Sequence, residues 1–248
     1  MPVRGFHLGM NPTALEGPWS SLTPPPPGAA LATKPGTRRK AQPMRREDVE
    51  ILDRETVYRG YFRIDRVRLR YPRFAGGMGP VVVREVAERG HAVAVLPYDP
   101  VRDEIVLIEQ FRVAAYDAGW HPWLVEIVAG IIDEGETPEG VARREAGEEA
   151  GLDLGELVHI CDFQPSPGVL TETIRLYCAR VDAEGAGGLH GLEEEAEDIR
   201  AFRAPFDEAM AMFESGRINN SIVVIALLWL ALHRERLRAE WNSGATTS

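Results

Sequence analysis

The sequence predicts an α+β fold, a mixed β-sheet layered against helices with an antiparallel β subdomain in front. Three observations predict it. Alternating segments rich in β-formers crowd the chain from Asp48 to Val128. Convincing helical segments come only later, beginning at Thr137. No internal repeat is present, so a layered domain is favoured over a solenoid or propeller.

Residues 1–43 stand apart. They hold nine of the 18 prolines, including the run Pro24–Pro27, and show neither helical nor strand period. Such a segment reads as a disordered or polyproline-like extension, and Met44 is a natural start. Val57–Arg70 alternates and reads as a strand or hairpin arm, broken by the loop around Gly76, Gly77 and Gly79. Val81–Val86 resumes a strand. His91–Tyr98 and Glu104–Phe111 form a hairpin across the turn signals Asp99, Pro100 and Asp103. Leu124–Val128, His159–Phe163 and Thr173–Val181 are further strands. Thr137–Ala150, Pro205–Phe213 and Ser221–Arg238 are helices, and 181–197 is a Gly- and Glu-rich loop.

The chain has 248 residues, 44% of them hydrophobic, enough to bury a substantial core. Net charge is −10, unevenly spread. Residues 1–43 carry five basic side chains and one acidic, leaving 23 basic against 37 acidic in the body. A body this acidic is a poor partner for nucleic acid, which needs Lys and Arg to displace counterions. A phosphate substrate fits only if cations bridge the two. Cys161 and Cys178 sit in apolar strand-like stretches without a CxxC, as expected of reduced thiols in a cytoplasmic protein. The longest apolar run, Ile222–Leu232, is eleven residues. A membrane span needs about twenty, so this is a buried helix, and no signal peptide or membrane association is expected.

One stretch, 130–152, dominates the chemistry. Thr137 is a good N-cap, Pro138 follows at the first helical position, and Gly151 is a good stop. Ala142, Ala146 and Ala150 recur every fourth residue, a row that lets the helix lie close to a sheet. On an adjoining face stand Glu145, Glu148 and Glu149. Glu145 and Glu149 are one turn apart, and like charges there repel by tenths of a kcal/mol, roughly. A hard divalent cation offsets this, since Mg²⁺ takes carboxylate and phosphate oxygens together. Arg144 can hold a neighbouring carboxylate, and Glu136 can join from the incoming loop. A solvated acidic face is the plain alternative, but the glycines and the arginine at fixed spacing argue against it.

These residues match the Nudix box, G-x5-E-x7-R-E-U-x-E-E-x-G-U, at all seven fixed positions, from Gly130 through Glu136, Arg144, Glu145, Glu148 and Glu149 to Gly151. Chance agreement is on the order of one in ten million per window at ordinary residue usage. From Asp48 to about Trp241 the chain resembles the bacterial ADP-ribose pyrophosphatase branch of that family. The supporting pieces are Arg84-Glu85, Glu88–His91, Val106–Arg112, Pro122–Gly130, Ser166–Gly168, Glu172, His190–Leu192 and Glu195–Ile199.

The resemblance implies a Nudix fold and a metal-dependent hydrolase acting on ADP-ribose to give AMP and ribose 5-phosphate. The cofactor is Mg²⁺, with Mn²⁺ able to substitute. Glu145, Glu149, Glu197, Glu136 and the carbonyl of Ala129 would hold metal. Glu195 would be the general base, with Glu148 and Arg144 completing the catalytic set. Arg84, Glu85, Arg89, Arg112, Glu172 and the main chain at Ile131 would contact substrate. Tyr61 and Phe62 would stack on adenine across a homodimer interface, and Ser166, Pro167 and Gly168 would reach across from the partner. The implied organisation is a Pro-rich extension 1–43, a β subdomain 44–88 for dimerisation and adenine binding, a Nudix domain 89–241 and a tail 242–248. ADP-glucose and GDP-mannose are alternative substrates, and a catalytically silent nucleotide-sensing module is the alternative from another class. Silent modules are expected to lose box carboxylates, which this chain keeps.

Overall fold

The structure, a computed structural model, describes residues 44–193 and 196–243. Three strands, β1 (Glu50–Arg59), β2 (Arg63–Arg70) and β3 (Val82–Glu88), form an antiparallel sheet in the order β1-β2-β3. The stretch 57–70 is therefore not one strand. It crosses from β1 to β2 at Gly60–Phe62, where no Asn-Gly or Asp-Gly pair announces the turn. Tyr61 and Phe62 are consequently turn residues.

The larger sheet holds β4 (His91–Asp99), β5 (Glu104–Phe111), β6 (Trp123–Glu126), β7 (Val128–Ile132), β8 (Leu157–Phe163), β9 (Ile174–Arg180), β10 (Gly188–His190) and β11 (Ile199–Pro205). Its order is β10-β11-β5-β4-β9-β8, with β6 on β5 and β7 on β4. β4 and β9 run parallel while the other pairs are antiparallel, so the sheet is mixed. The hairpin β4-β5 is paired only at Tyr98–Ile105 and Asp99–Glu104, then forks. The segment 123–132 enters the fork, pairing first with β5 as β6 and then, past the buried Ile127, with β4 as β7. The single expected strand 124–128 is thus two.

Among the described residues four α-helices complete the fold: α1 (Val113–Asp117), α2 (Pro138–Ala150), α3 (Phe206–Glu214) and α4 (Ser221–Ser243). Thr137 caps α2 by accepting the Gly140 N–H at 3.1 Å, and Gly151 ends it in the left-handed conformation at φ 63°. Its buried alanines press it onto one face of the sheet, in a core with Val93, Val95, Val106 and Ile108. The opposite face packs Leu96, Tyr98, Leu107 and Leu176 beneath Val223, Leu227, Leu230 and Trp241 of α4. The alternation along β4, odd positions to α2 and even positions to α4, is the period-2 rule of a strand buried on both faces. Each fully buried Val or Leu contributes about 1.5–3 kcal/mol. The sheet is therefore sandwiched between helices, with the three-stranded arm in front of it in sequence.

Strands β1, β10 and β11 and helix α1 were not among the sequence expectations, and α4 runs past Arg238 to Ser243. Among the described residues no helix is long and apolar enough to cross a membrane. Cys161 and Cys178 are free thiols, Cys178 in the core.

Candidate active site

A cleft of about 440 Å³ opens where the large sheet forks. Its floor is Ala92 and Val93 of β4 with Ala129, Gly130 and Ile131 of β7. Glu145 and Glu149 enter from α2, Glu197 from the loop before β11, and Arg89, Arg112, Glu126 and Glu172 from the surrounding strands and loops. Tyr61 reaches it from the β1-β2 turn, 76% exposed, and Asn220–Ile222 close it at the start of α4. A second cavity of about 450 Å³ lies at the other end of β4, around Asp99, Arg102, Leu154, Arg180 and Asp182. There Asp99 and Asp182 are already paired with Arg102, so charge assigns the chemistry to the first.

Gly130 shows why the first box glycine is needed. A Cβ there would fall within 2.4 Å of the Glu145 side chain, so any other residue would evict the carboxylate. Glu149 is only 3% exposed, and its Oε2 accepts the Ala129 N–H at 3.1 Å. Burial, reinforced by the charges of Glu145 and Glu197, pushes its carboxyl up to about 8 against the opposing pull of that N–H and Arg112. Glu145 is also raised, first by burial, with Arg144 pulling the other way. Acids crowded this way favour a proton or a cation over mutual repulsion.

The basic side is built as firmly. Arg112 forks onto Glu126, Nη2 to Oε2 at 2.8 Å, and Gln110 donates to the same oxygen at 3.1 Å. Burial works against the Arg112 charge, yet Glu126 and the cleft glutamates hold its pKa above the ordinary value. Arg89 pairs with the buried Glu172 at 3.4 Å, and its Nε is a buried donor without a hydrogen bond. Arg89 also lies 6.0 Å from the Phe62 ring, which packs edge-on against Tyr61 at 5.2 Å.

Several expected site residues stand elsewhere. Arg144 gathers Glu136, Glu145 and Glu148 at 3.3, 3.0 and 3.0 Å, and Glu136 also accepts the Asp133 N–H. Glu136, Arg144 and Glu148 thus form an ion cluster beside the cleft and do not line it. Arg84 and Glu85 lie on β3, Arg84 donating to the Val83 carbonyl and Glu85 paired with Arg66. Ser166, Pro167 and Gly168 begin a turn that docks on β3, where Ala87 exchanges hydrogen bonds with Val169 and Thr171. Glu195 lies outside the described residues.

The donor set is hard carboxylate oxygen, which suits a divalent cation. Among the described residues no three acids, histidines or cysteines are gathered to one point. Glu145 is turned to Arg144 through Oε1 and Glu149 to the Ala129 amide through Oε2, which leaves the other oxygen of each without those bonds. The sequence reading missed Glu126, which has no motif of its own, and Asn220. Asn220 was findable as the polar residue just before an apolar helix. Its Oδ1 accepts the Val223 N–H while its Nδ2 donates to Val125 O, tying α4 to β6.

A family model for the NUDIX domain matches residues 88–222, which include the floor, α2 and the cleft glutamates. The chain belongs to the Nudix family. Among its relatives, the ADP-ribose pyrophosphatase of Escherichia coli (strain K12) is 51% identical over 196 residues, covering 79% of this chain and 94% of that protein. The ADP-ribose pyrophosphatase of Haemophilus influenzae is 42% identical over 199 residues, covering 79% and 92%. The GDP-mannose pyrophosphatase of Salmonella arizonae is 39% identical over 149 residues, 59% of this chain and 76% of that one. A crystal structure of an ADP compounds hydrolase shares the Nudix fold with a TM-score of 0.61 at 24% identity, over 81% of this chain and 98% of that chain.

Proposed function

We propose that this Nudix enzyme hydrolyses the diphosphate bond of ADP-ribose, giving AMP and ribose 5-phosphate. The observation that carries the reading is a cleft in which three glutamates, Glu145, Glu149 and Glu197, share the lining with Arg89 and Arg112. The substrate follows the relatives named ADP-ribose pyrophosphatase, which match along 92–94% of their length. The GDP-mannose pyrophosphatase of Salmonella arizonae shares a shorter span at lower identity, 39% over 149 residues and 59% of this chain, which favours the first substrate.

Glu145, Glu149, Glu197 and the Ala129 carbonyl would hold the cation, Mg²⁺ or Mn²⁺, with Glu136 steadying Arg144 behind them. Bound there, it would neutralise charge on the diphosphate and on the developing transition state. Arg112 and Arg89 orient the phosphates, and the Nε of Arg89, held by Glu172 at 3.4 Å but making no hydrogen bond, is a buried donor available to substrate. Glu195 accepts the proton of the attacking water as the new P–O bond forms and the bridging P–O bond breaks. Arg144 and Glu148 keep Glu145 aligned. Tyr61 and Phe62 stack on adenine across a dimer interface, Ser166, Pro167 and Gly168 reach across with them, and Arg84 and Glu85 contact substrate. In this arrangement 44–88 is the dimerisation arm and 89–241 the catalytic unit.

The test is hydrolysis of a nucleotide-sugar panel with millimolar Mg²⁺ and product identification. ADP-ribose should be the best substrate and EDTA should abolish turnover. Equal turnover of ADP-glucose or GDP-mannose would remove the specificity, and no turnover of any diphosphate would remove the reading. Glu195→Gln should depress kcat with KM little changed. A larger kcat loss in Glu172→Gln would exchange the roles of the two glutamates.

A further inference from the structure

The loop that brings Glu197 to the cleft is closed by β10 and β11, paired from Gly188–Ala201 to His190–Ile199. β11 of that short ladder packs on α2, where the other two glutamates stand, through Ile199 and Ala201, which share a core with Ala142, Ala146 and Ala150. The loop itself is tied to the end of α2 by His190 and Gly191. Gly191 donates its N–H to the carbonyl of Glu148 at 3.2 Å, one of the carbonyls left over in the last turn of α2. His190 packs its ring onto the bare face of Gly151, the left-handed cap of the same helix. A Cβ on Gly151 would lie 2.8 Å from His190 Cε1. The ring is steadied from behind, with Nε2 3.2 Å from the Gly187 carbonyl.

The far side of the loop is fitted as closely. A Cβ on Gly191, at φ 99°, would lie 2.8 Å from Glu197 Cβ and 2.9 Å from its carbonyl oxygen. The Glu197 N–H donates to Leu192 O at 3.2 Å. Glu197 is thus fixed against Gly191, Gly191 against Glu148, and His190 against Gly151. The glycine at the end of the box serves as a seat for the loop as well as a helix stop.

We propose that His190 is a positioning residue: its contact with Gly151 sets where the loop presents Glu197 to Glu145 and Glu149. The contact is remote from the reacting atoms, so its loss should act on cation affinity and kcat more than on folding. This rests on the reading that Glu197 serves the cleft.

Three measurements on the full-length protein test it. Outer-contact residues of metal sites typically cost about 10–100-fold in affinity or activity when removed. His190→Ala should therefore weaken Mn²⁺ binding, read by EPR titration, about tenfold and lower kcat similarly, with KM for ADP-ribose within about twofold. His190→Phe, which keeps a ring over Gly151, should recover most of both. Gly151→Asn, tolerated in the left-handed region but placing a Cβ against the ring, should reproduce the His190→Ala defect, and the double variant should be no worse than either. Hydrogen exchange at the Gly191 and Glu197 amides should accelerate in His190→Ala and stay slow in His190→Phe, a readout independent of metal and substrate. Unchanged Mn²⁺ affinity and exchange in His190→Ala would overturn the proposal, as would losses that multiply in the double variant. Loss of ADP-ribose turnover in the wild type with the Mn²⁺ and exchange effects intact would instead overturn the substrate reading alone.

Discussion

β1 and β4 differ by one residue in length, ten against nine, and have opposite surroundings. β1 is exposed at every position but its first, while β4 is buried at every position but its first. β4 rests on apolar burial from two cores. β1 rests on its ladder with β2 and on ion pairs such as Arg54–Asp65 at 2.9 Å and Arg70–Glu50 at 2.6 Å. An exposed pair such as Arg70–Glu50 contributes roughly 0–1 kcal/mol, whereas Asp65 is buried beneath Arg54. The arm nevertheless displays Ile51, Leu52, Val57 and Tyr58 to solvent, which a single copy gains nothing by doing. The contrast separates a body that folds on its own core from an arm that calls for a covering surface. The proposed division, chemistry in the first and assembly in the second, makes substitutions divide along that line.

The largest effect is expected in the body. Glu149→Gln keeps the shape and the Ala129 hydrogen bond but removes a ligand charge, so kcat should fall by at least about 100-fold. Light scattering should show the assembly unchanged, and the thermal midpoint should hold or rise because a buried carboxylate crowded by acids is relieved. Near-normal activity at saturating Mg²⁺ would remove Glu149 from the metal site.

Next is Asp99, also in the body. Burial works against its charge, but the N–H groups of Ala183, Arg102 and Val101 and the Arg102 guanidinium outweigh it and hold its pKa below the usual carboxylate range. A depressed pKa stabilises the fold above the unfolded value, about 3.9, and this is lost as pH falls through the folded one. Asp99→Asn should therefore destabilise by about 2 kcal/mol at pH 7, with the gap from wild type closing below about pH 4. Asp65 of the arm is likewise lowered, chiefly by the Thr56 hydroxyl, and Asp65→Asn should cost less by urea titration. The reverse order would break the contrast.

In the arm, Ile51→Arg with Val57→Arg should leave the body folded and convert a dimer to monomers, with KM for ADP-ribose rising about tenfold as an anchor residue is lost. A wild-type monomer that is fully active at micromolar concentration would remove the assembly role. The smallest effect is expected from deleting residues 1–43, which should leave kcat and KM within about twofold, since no role in the cleft is assigned to them.

The same contrast explains what the sequence disclosed. α2 was legible because its cap, proline and terminal glycine are local signals, and β4 because Val93, Val95 and Leu96 sit in an unbroken apolar run. β1 was illegible because no face is buried, so Glu50–Arg59 carries no inward row. β11 buries Ala201 toward α2 and Ala204 toward the opposite core, and both side chains are too small to register as an inward row. Of the cleft, the box was readable as a motif. The Gly130–Glu145 and Gly151–His190 contacts were not, because each joins elements whose approach is set by the whole sheet.

The forked hairpin decides which parts of this site can adapt. β7 is laced to β4 at five positions and β6 to β5 at four, so the wedge that floors the cleft is pinned on both flanks. Prising it open by an ångström would break ladder bonds on two strands at once, a cost far above thermal energy. Accommodation of differently sized sugars must then fall to the rim, to side chains such as the exposed Tyr61 on the β1-β2 turn. The floor behaves as an anvil, so altered selectivity should arise by changing rim residues and leaving the floor untouched.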